Sequence, residues 1–401
     1  MNIQQNIPSQ FGLVILLCYL PAEHGSAQEL SNIVDSFSPE LGVEFRHDDN
    51  IYRSATGVTT SWITMISPGL TIAAQPSGQR YALSYKGDIA RYAVGSTDNY
   101  DDHFFNADAY LPVGARGELE VKGSFEDAHD DRGSNLTDGF DPASNNPPIP
   151  HEHQQGTILG TFSYGISAKG RIVVEAGVSD LEYTNDQNRT RFFDRKDRYG
   201  GAGFHYAVMP KTTLIVDARL STFDYENNRL SESSLDSEES RYQLGVQWDA
   251  TAQITGTAKI GYTKKNFDAA DRGEFSNTSW GINLRWSPRT YSHFDFETAR
   301  HPSESNGGGN FIDNTSYSFS WEHEWRDRLR SRVVARYLDQ DYLGSTTNRN
   351  QQQPQYIFSI NYKMRNWLEW NASAELNSRD SNFDQLVFDG NIFRIGAVIS
   401  R

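Results

Sequence analysis

The sequence predicts an all-β fold, a transmembrane antiparallel up-and-down β-barrel of about 18 strands, with 16–18 as the range. Three observations predict it. Apolar and polar residues alternate in run after run. Many of the runs are long enough to cross a membrane, and the connections between them alternate short and long along the whole chain.

Alternation with period two marks a strand that is greasy on one side and wet on the other. From Tyr81, one face reads Tyr81, Leu83, Tyr85, Gly87 and Ile89, and the other Ala82, Ser84, Lys86 and Asp88. Leu214, Val216, Ala218 and Leu220 oppose Ile215, Asp217, Arg219 and Ser221. Trp280, Ile282, Leu284 and Trp286 oppose Gly281, Asn283 and Arg285. Leu368, Trp370, Ala372, Ala374 and Leu376 oppose Glu369, Asn371, Ser373 and Glu375. A soluble β-sandwich would alternate in the same way, so the second and third observations decide. A tilted membrane strand needs about 9–11 residues, whereas soluble strands usually have about 5–6. The longer kind prevails here.

Short connections are read at Pro76-Ser77-Gly78, Pro112-Val113-Gly114, Ser167 to Gly170, Met209-Pro210-Lys211, Ala250-Thr251-Ala252, Ser287-Pro288-Arg289, Arg326-Asp327-Arg328 and Met364-Arg365-Asn366. Long polar ones fall near 48–59, 94–100, 127–154, 184–190, 226–238, 267–273, 300–312, 342–354 and 378–389. Outer-membrane barrels have short periplasmic turns and long extracellular loops, and a sandwich has no reason to segregate its loops. Runs counted from Leu41 to Ser400 number about eighteen, and an even number places both termini in the periplasm.

Composition agrees. Only 37% of the 401 residues are hydrophobic, yet 12% are aromatic and Gly numbers 32. A soluble protein this large needs a Leu, Ile and Val core. Disordered chains are poor in aromatics. A barrel with a wet interior satisfies both facts. Trp62, Tyr85, Tyr92, Trp248, Trp280, Trp286, Trp321, Trp325, Trp367 and Trp370 lie near run ends, where interfacial girdles sit. The last run, Phe393, Ile395, Ala397 and Ile399, alternates like a barrel-assembly signal, although it ends in Arg401 rather than an aromatic.

No run of eighteen apolar residues occurs, so no transmembrane helix is expected. The one long apolar run is Phe11 to Leu20, followed by Pro21 and the small-residue site Gly25-Ser26-Ala27. Residues 1–27 therefore read as a secretory signal peptide, 28–39 as a periplasmic segment and 40–401 as the outer-membrane barrel of a Gram-negative bacterium. The region before the run lacks Lys and Arg, and the alternative is a short buried helix. A lipoprotein site at Cys18 would need a small residue where Leu17 stands. Cys18 is the single cysteine, so the mature chain would hold neither disulfides nor thiolate metal sites. The net charge of −15 argues against nucleic-acid partners.

Barrels of about sixteen to eighteen strands leave an aqueous channel. The residues expected along that pore are Lys86, Asp88, Asp217, Arg219, Lys259, Arg285, Arg330, Arg332, Arg336 and Glu369. Arg330, Arg332 and Arg336 share one strand face, a candidate basic stripe, and charged lumen residues bias what passes. The bland reading is that these charges pair with neighbours in the wall. The longest connection, His129 to Gln154, carries Asn145-Asn146-Pro147-Pro148-Ile149-Pro150-His151. It either folds inward to constrict the channel or covers the mouth; both placements stay open.

Leu41-Gly42-Val43-Glu44-Phe45 with Asp48 to Arg53, then Ser61 to Leu70, then Tyr100-Asp101-Asp102-His103 resemble the β-barrel porins found with bacterial exopolysaccharide biosynthesis and export genes. The resemblance covers roughly residues 40–110 and carries over no functional residues. It implies an outer-membrane conduit working beside periplasmic polysaccharide-export components, with a secreted polymer as cargo.

No catalytic residues, cofactor or metal site are expected. Gly-x-Ser-x-Gly, a phosphate-binding Gly-rich loop and His-Glu-x-x-His are absent. His151-Glu152-His153 offers two loop imidazoles without a third ligand, a pattern that is ordinarily solvated. Asp48-Asp49-Asn50 and Asp98 to Asp102 offer oxygen ligands of the kind Ca²⁺ takes. The expected function is a porin or conduit for an exopolysaccharide or for small solutes, seated in outer-membrane lipid. The alternatives are a barrel enzyme, hydrolytic or lipid-modifying, and a structural or adhesion barrel with a plugged lumen.

Overall fold

A computed structural model describes residues 37–139, 149–229, 232–249, 253–344 and 348–401. The expected signal peptide, and the 250–252 turn, lie outside these residues, as do 140–148 of the longest loop.

Eighteen antiparallel strands form one sheet that closes on itself, each strand pairing with its sequence neighbours and the last with the first. They are β1 (Phe37–Asp48), β2 (Ser61–Ala74), β3 (Arg80–Tyr92), β4 (Tyr100–Val113), β5 (Gly117–His129) and β6 (Glu152–Gly165). Then come β7 (Gly170–Tyr183), β8 (Arg195–Met209), β9 (Thr212–Tyr225), β10 (Ser237–Trp248), β11 (Ile254–Phe267) and β12 (Glu274–Arg289). The ring ends with β13 (Ser292–Glu304), β14 (Phe311–Arg326), β15 (Leu329–Leu343), β16 (Asn350–Arg365), β17 (Leu368–Ser381) and β18 (Phe388–Ser400). Closure removes every sheet edge, so the backbone groups of the wall can pair strand to strand without water. The all-β barrel of about eighteen strands is what the structure contains.

Alternation sorts the two faces. Leu244 is 62% exposed, Ile260 61% and Leu220 60%, all on the same side of adjacent strands. In water such a band would be an aggregation hazard; in a bilayer it is the lipid contact. The opposite side is polar, and its contacts identify it as concave. Lys259 Nζ on β11 reaches Asp217 Oδ2 on β9 at 2.5 Å, across β10. Arg219 on β9 reaches Glu175 on β7 at 3.2 Å, across β8. Second-neighbour strands stand about 9.5 Å apart, and their side chains converge on the inner side of a curved wall while they splay on the outer.

The strands outrun the lengths read from the sequence. They have 12 to 16 residues, and the loops shrink to match: 300–312 becomes 305–310, 342–354 becomes 344–349, and 378–389 becomes 382–387. The physical reason is that these strand tips rise above the lipid. Polar residues occupy both faces there, and period two disappears. At the short-turn end, Ser287-Pro288-Arg289 and Met364-Arg365-Asn366 were expected as turns, but β12 and β16 run on to Arg289 and Arg365. The register shifts between Trp286 and Arg289 and between Lys363 and Arg365 absorb the extra residues. Strand prolines break the ladder where their missing N–H would donate. The β2–β3 register skips Pro68, and the β16–β17 register skips Pro354. The barrel begins at Phe37, three residues before the expected boundary at 40.

Candidate functional site

The ten residues expected along the pore all occupy the polar strand face, and most are engaged by a neighbour. Lys86 Nζ pairs with Asp88 at 2.8 Å, and Ser67 Oγ donates to the same carboxylate at 2.6 Å. Asp217 holds Lys259, and Arg219 pairs with Glu175. Arg285 pairs with Asp295 at 2.6 Å. Of the basic stripe, Arg330 stands between Glu322 at 4.0 Å and Glu369 at 3.8 Å, while Arg336 donates to Gln355 at 3.0 Å. Arg332 keeps a buried Nε without a hydrogen-bond partner among the described residues. The stripe is thus embedded among opposing charges rather than standing as a bare basic track.

The mouth on the long-loop side carries the more unusual construction. The β5–β6 loop leaves the wall at Asp130 and returns at His151, whose carbonyl accepts the Asp130 N–H at 2.7 Å. Residues 130–139 fold on themselves into a compact knot, here termed the lid. The buried Asp130 carboxylate accepts from Asn135 Nδ2 at 2.8 Å and from the Tyr183 hydroxyl at 3.2 Å. Thr137, fully buried, donates to the Ser134 carbonyl at 2.9 Å. Leu136 packs on Leu181, Tyr183 and Phe193 of β7 and the loop after it. Arg132 Nε donates to Asp98 of the β3–β4 loop at 2.8 Å, and its guanidinium covers the Tyr52 ring.

From these anchors the lid spans the opening. Asp138 is bound by Arg349, the last residue of the β15–β16 loop, and by Arg379 of β17. Strand β17 stands six places round the ring from β5, so the contact runs along a chord rather than the rim. Arg379 also donates to the Gly133 carbonyl. Gly133 adopts φ +77°, and a Cβ there would lie 2.9 Å from Arg53 Cβ. Only glycine passes between the two arginines. The contacts of the described residues are with loops and strand ends at the mouth, across which this part of the loop lies.

Electrostatics favour that docked state. Burial alone would raise the Asp138 carboxyl, but Arg379 and Arg349 outweigh it and hold the group below the ordinary carboxylate range. Asp131 is likewise held down against burial by His129 and Arg46. Asp130 lacks an arginine, and burial pushes its carboxyl up. By linkage, a depressed carboxyl stabilises above its ordinary pKa and stops doing so only as pH falls through the lowered value. The Asp138 attachment is therefore intact at neutral pH and across mild acidification.

The other candidate ligands have partners too. Asp48 is bound bidentately by Arg53, Asp98 by Arg132 and Asp101 by Arg91. Asp102 faces His129 Nδ1 at 3.0 Å, and Asp49 accepts from Asn391. His151 contacts Asp186 and His153 contacts Glu126, each at 3.3 Å. The carboxylates considered for Ca²⁺ thus serve as loop cross-links, and among the described residues no group of three or more ligands is poised for a metal. Asp138, Arg349 and Arg379 were missed from sequence, because each sits in a polar stretch and its partner is more than two hundred residues away.

Solved structures of similar architecture are outer-membrane porins. A BenF-like porin from Pseudomonas fluorescens Pf-5 aligns over 92% of this chain and 100% of its own, at 12% identity and a TM-score of 0.50. OccK2 (OpdF) of Pseudomonas aeruginosa aligns over 91% and 98%, at 10% identity and a TM-score of 0.50. At such identities the likeness concerns the fold alone. No curated protein matches the sequence. Residues 36–401, the whole barrel, match the family described as "Putative beta-barrel porin 2", and the chain belongs to that family of outer-membrane, porin-type β-barrels.

Proposed function

We propose that this porin is a lidded conduit for hydrated, polar cargo, with Lys86, Asp88, Asp217, Arg219, Lys259, Arg285, Arg330, Arg332, Arg336 and Glu369 lining its path. The observation that carries the reading is the docked lid: a loop held across the mouth by a carboxylate between two arginines. A wall that needed no control would have no use for a clamp that desolvates three charges. Paired wall charges give the strand faces no strong preference for one sign of charge, so selection by charge falls to the mouth.

The finer assignment is an exopolysaccharide chain leaving the cell, with periplasmic export components docking at the short-turn end. Its support is the resemblance of the first strands to porins encoded beside such genes. A second reading, passage of small polar solutes, draws support from the lid itself, since a spanning loop narrows the entrance. The enzyme alternative needs a nucleophile, a base and a group that orients the base. Ser287 with His293 at 2.9 Å and Tyr85 with His103 at 3.1 Å supply two members each. Neither imidazole has a carboxylate partner on its other nitrogen among the described residues.

Two measurements test the proposal. Replacing Arg132–Asp138 by a short Gly-Ser link is expected to raise single-channel conductance in planar bilayers at least twofold. A barrel that carries no current even without the lid would end the conduit reading. Deleting the gene is expected to lower secreted polysaccharide; unchanged secretion with slowed entry of small sugars would replace the polymer by the small-solute reading.

A further inference from the structure

We propose that Arg349 and Arg379 form a carboxylate-binding subsite in the mouth, occupied in the closed state by the lid's own Asp138, and that cargo bearing a carboxylate displaces Asp138 and releases the lid. The proposal rests on the conduit reading and adds to it a ligand class and a trigger.

The charge count comes first. Two guanidiniums meet one carboxylate, each binding a different oxygen. Hydrogen bonds between a guanidinium and a carboxylate are charge-assisted and stronger than neutral ones. Arg379 is 1% exposed, and its Nε finds no partner among the described residues. Such a donor, buried and unsatisfied beside an anion, marks a site that can take more acceptor oxygens than Asp138 supplies.

Each arginine also has a contact outside the lid. Arg349 lies over the Tyr342 ring, 3.9 Å from its centroid, and Arg349 Nε donates to Gln351 at 3.2 Å. Arg379 lies over Phe388, 4.8 Å from its centroid. Arg349 therefore keeps its place when Asp138 leaves, while both hydrogen bonds of Arg379 go to the lid, to Asp138 and to the Gly133 carbonyl, and its stacking on Phe388 remains. Asp138, by contrast, is a tethered competitor. Short flexible tethers give effective concentrations of about a millimolar or more, so a free monocarboxylate should compete in the millimolar range. A polymer with many carboxylates would do so at lower concentration.

The test uses the full barrel in planar bilayers with galacturonate as probe and galactose, which differs by the carboxylate, as control. Millimolar galacturonate is expected to raise open probability severalfold, and galactose to leave it unchanged. Asp138→Asn is expected to be open without probe and insensitive to it, while Asp138→Glu behaves like the parent. Folding of each variant is read from the faster migration of unboiled barrel on a gel. If Asp138→Asn fails to fold, the galacturonate and galactose comparison on the parent chain decides alone. Equal effects of the two sugars would overturn the subsite, as would a folded Asp138→Asn channel that stays closed while the lid-deleted channel conducts. A lid-deleted barrel without current would instead overturn the conduit reading beneath it.

Discussion

Leu244→Arg is expected to destabilise the barrel in lipid by about 2–4 kcal/mol, the range for a basic residue facing the bilayer midplane. Leu244 lies in the middle of β10, flanked in register by Val216 and Ile260 on the same outward face. A guanidinium there has no water and no counter-charge, and it can only snorkel past Tyr242 or Trp248 toward an interface. Gln243→Arg is the control. One residue along the same strand, it faces the polar side, in register with Asp217. Its cost is expected to be at least about 2 kcal/mol lower, because lumen positions tolerate charge. Urea unfolding of both variants in lipid vesicles measures the difference. Equal costs would mean that the outward band does not face lipid, and the membrane assignment would fall.

That contrast between adjacent residues is also why the architecture could be read before any coordinates. Inside the lipid band each strand has one greasy and one wet face, and Leu214 to Ser221 or Leu368 to Leu376 display it directly. Where the band ends, so does the signal. Arg300–Glu304 and Asn350–Gln355 are strands in the structure, yet both their faces carry polar residues, which look the same as loop residues. Proline misled for a related reason. Pro288 reads as a turn, but at the end of β12 a register shift accommodates its missing donor and the strand continues.

The mouth was legible only in outline. A long polar loop with an unusual proline run pointed to the β5–β6 connection, and its residue types left constriction and cover equally open. What holds the described part across the mouth is a set of contacts between positions distant in sequence: Arg132 with Asp98, Leu136 with Phe193, Asp138 with Arg379. Each partner alone is an ordinary surface residue. Only closure of the ring brings β17 opposite the loop that follows β5, and no local pattern encodes that chord.

Arg379→Met is expected to free the lid without unfolding the wall. Removing one partner of a buried ion pair costs about 3–5 kcal/mol, because the remaining charge stays desolvated. Here it strands Asp138 with Arg349 alone and leaves the Gly133 carbonyl without its donor. The cost falls on a local unit, the lid, and not on the ladder that closes the barrel, so the global unfolding midpoint should move little while lid opening becomes far more frequent. Arg132 reports the opening: it is 8% exposed and tied to Asp98, and trypsin cuts after it only when the lid lifts. If opening and closing are fast relative to cleavage, a loss of about 3 kcal/mol speeds cutting about a hundredfold. Adding Asp138→Asn to Arg379→Met should cost less than the sum of the two single changes, since both remove the same Asp138–Arg379 contact. Cleavage at the parent rate in Arg379→Met, or strict additivity in the double variant, would show that the lid is held by Leu136 and Arg132 and that the arginine clamp contributes nothing to keeping it down.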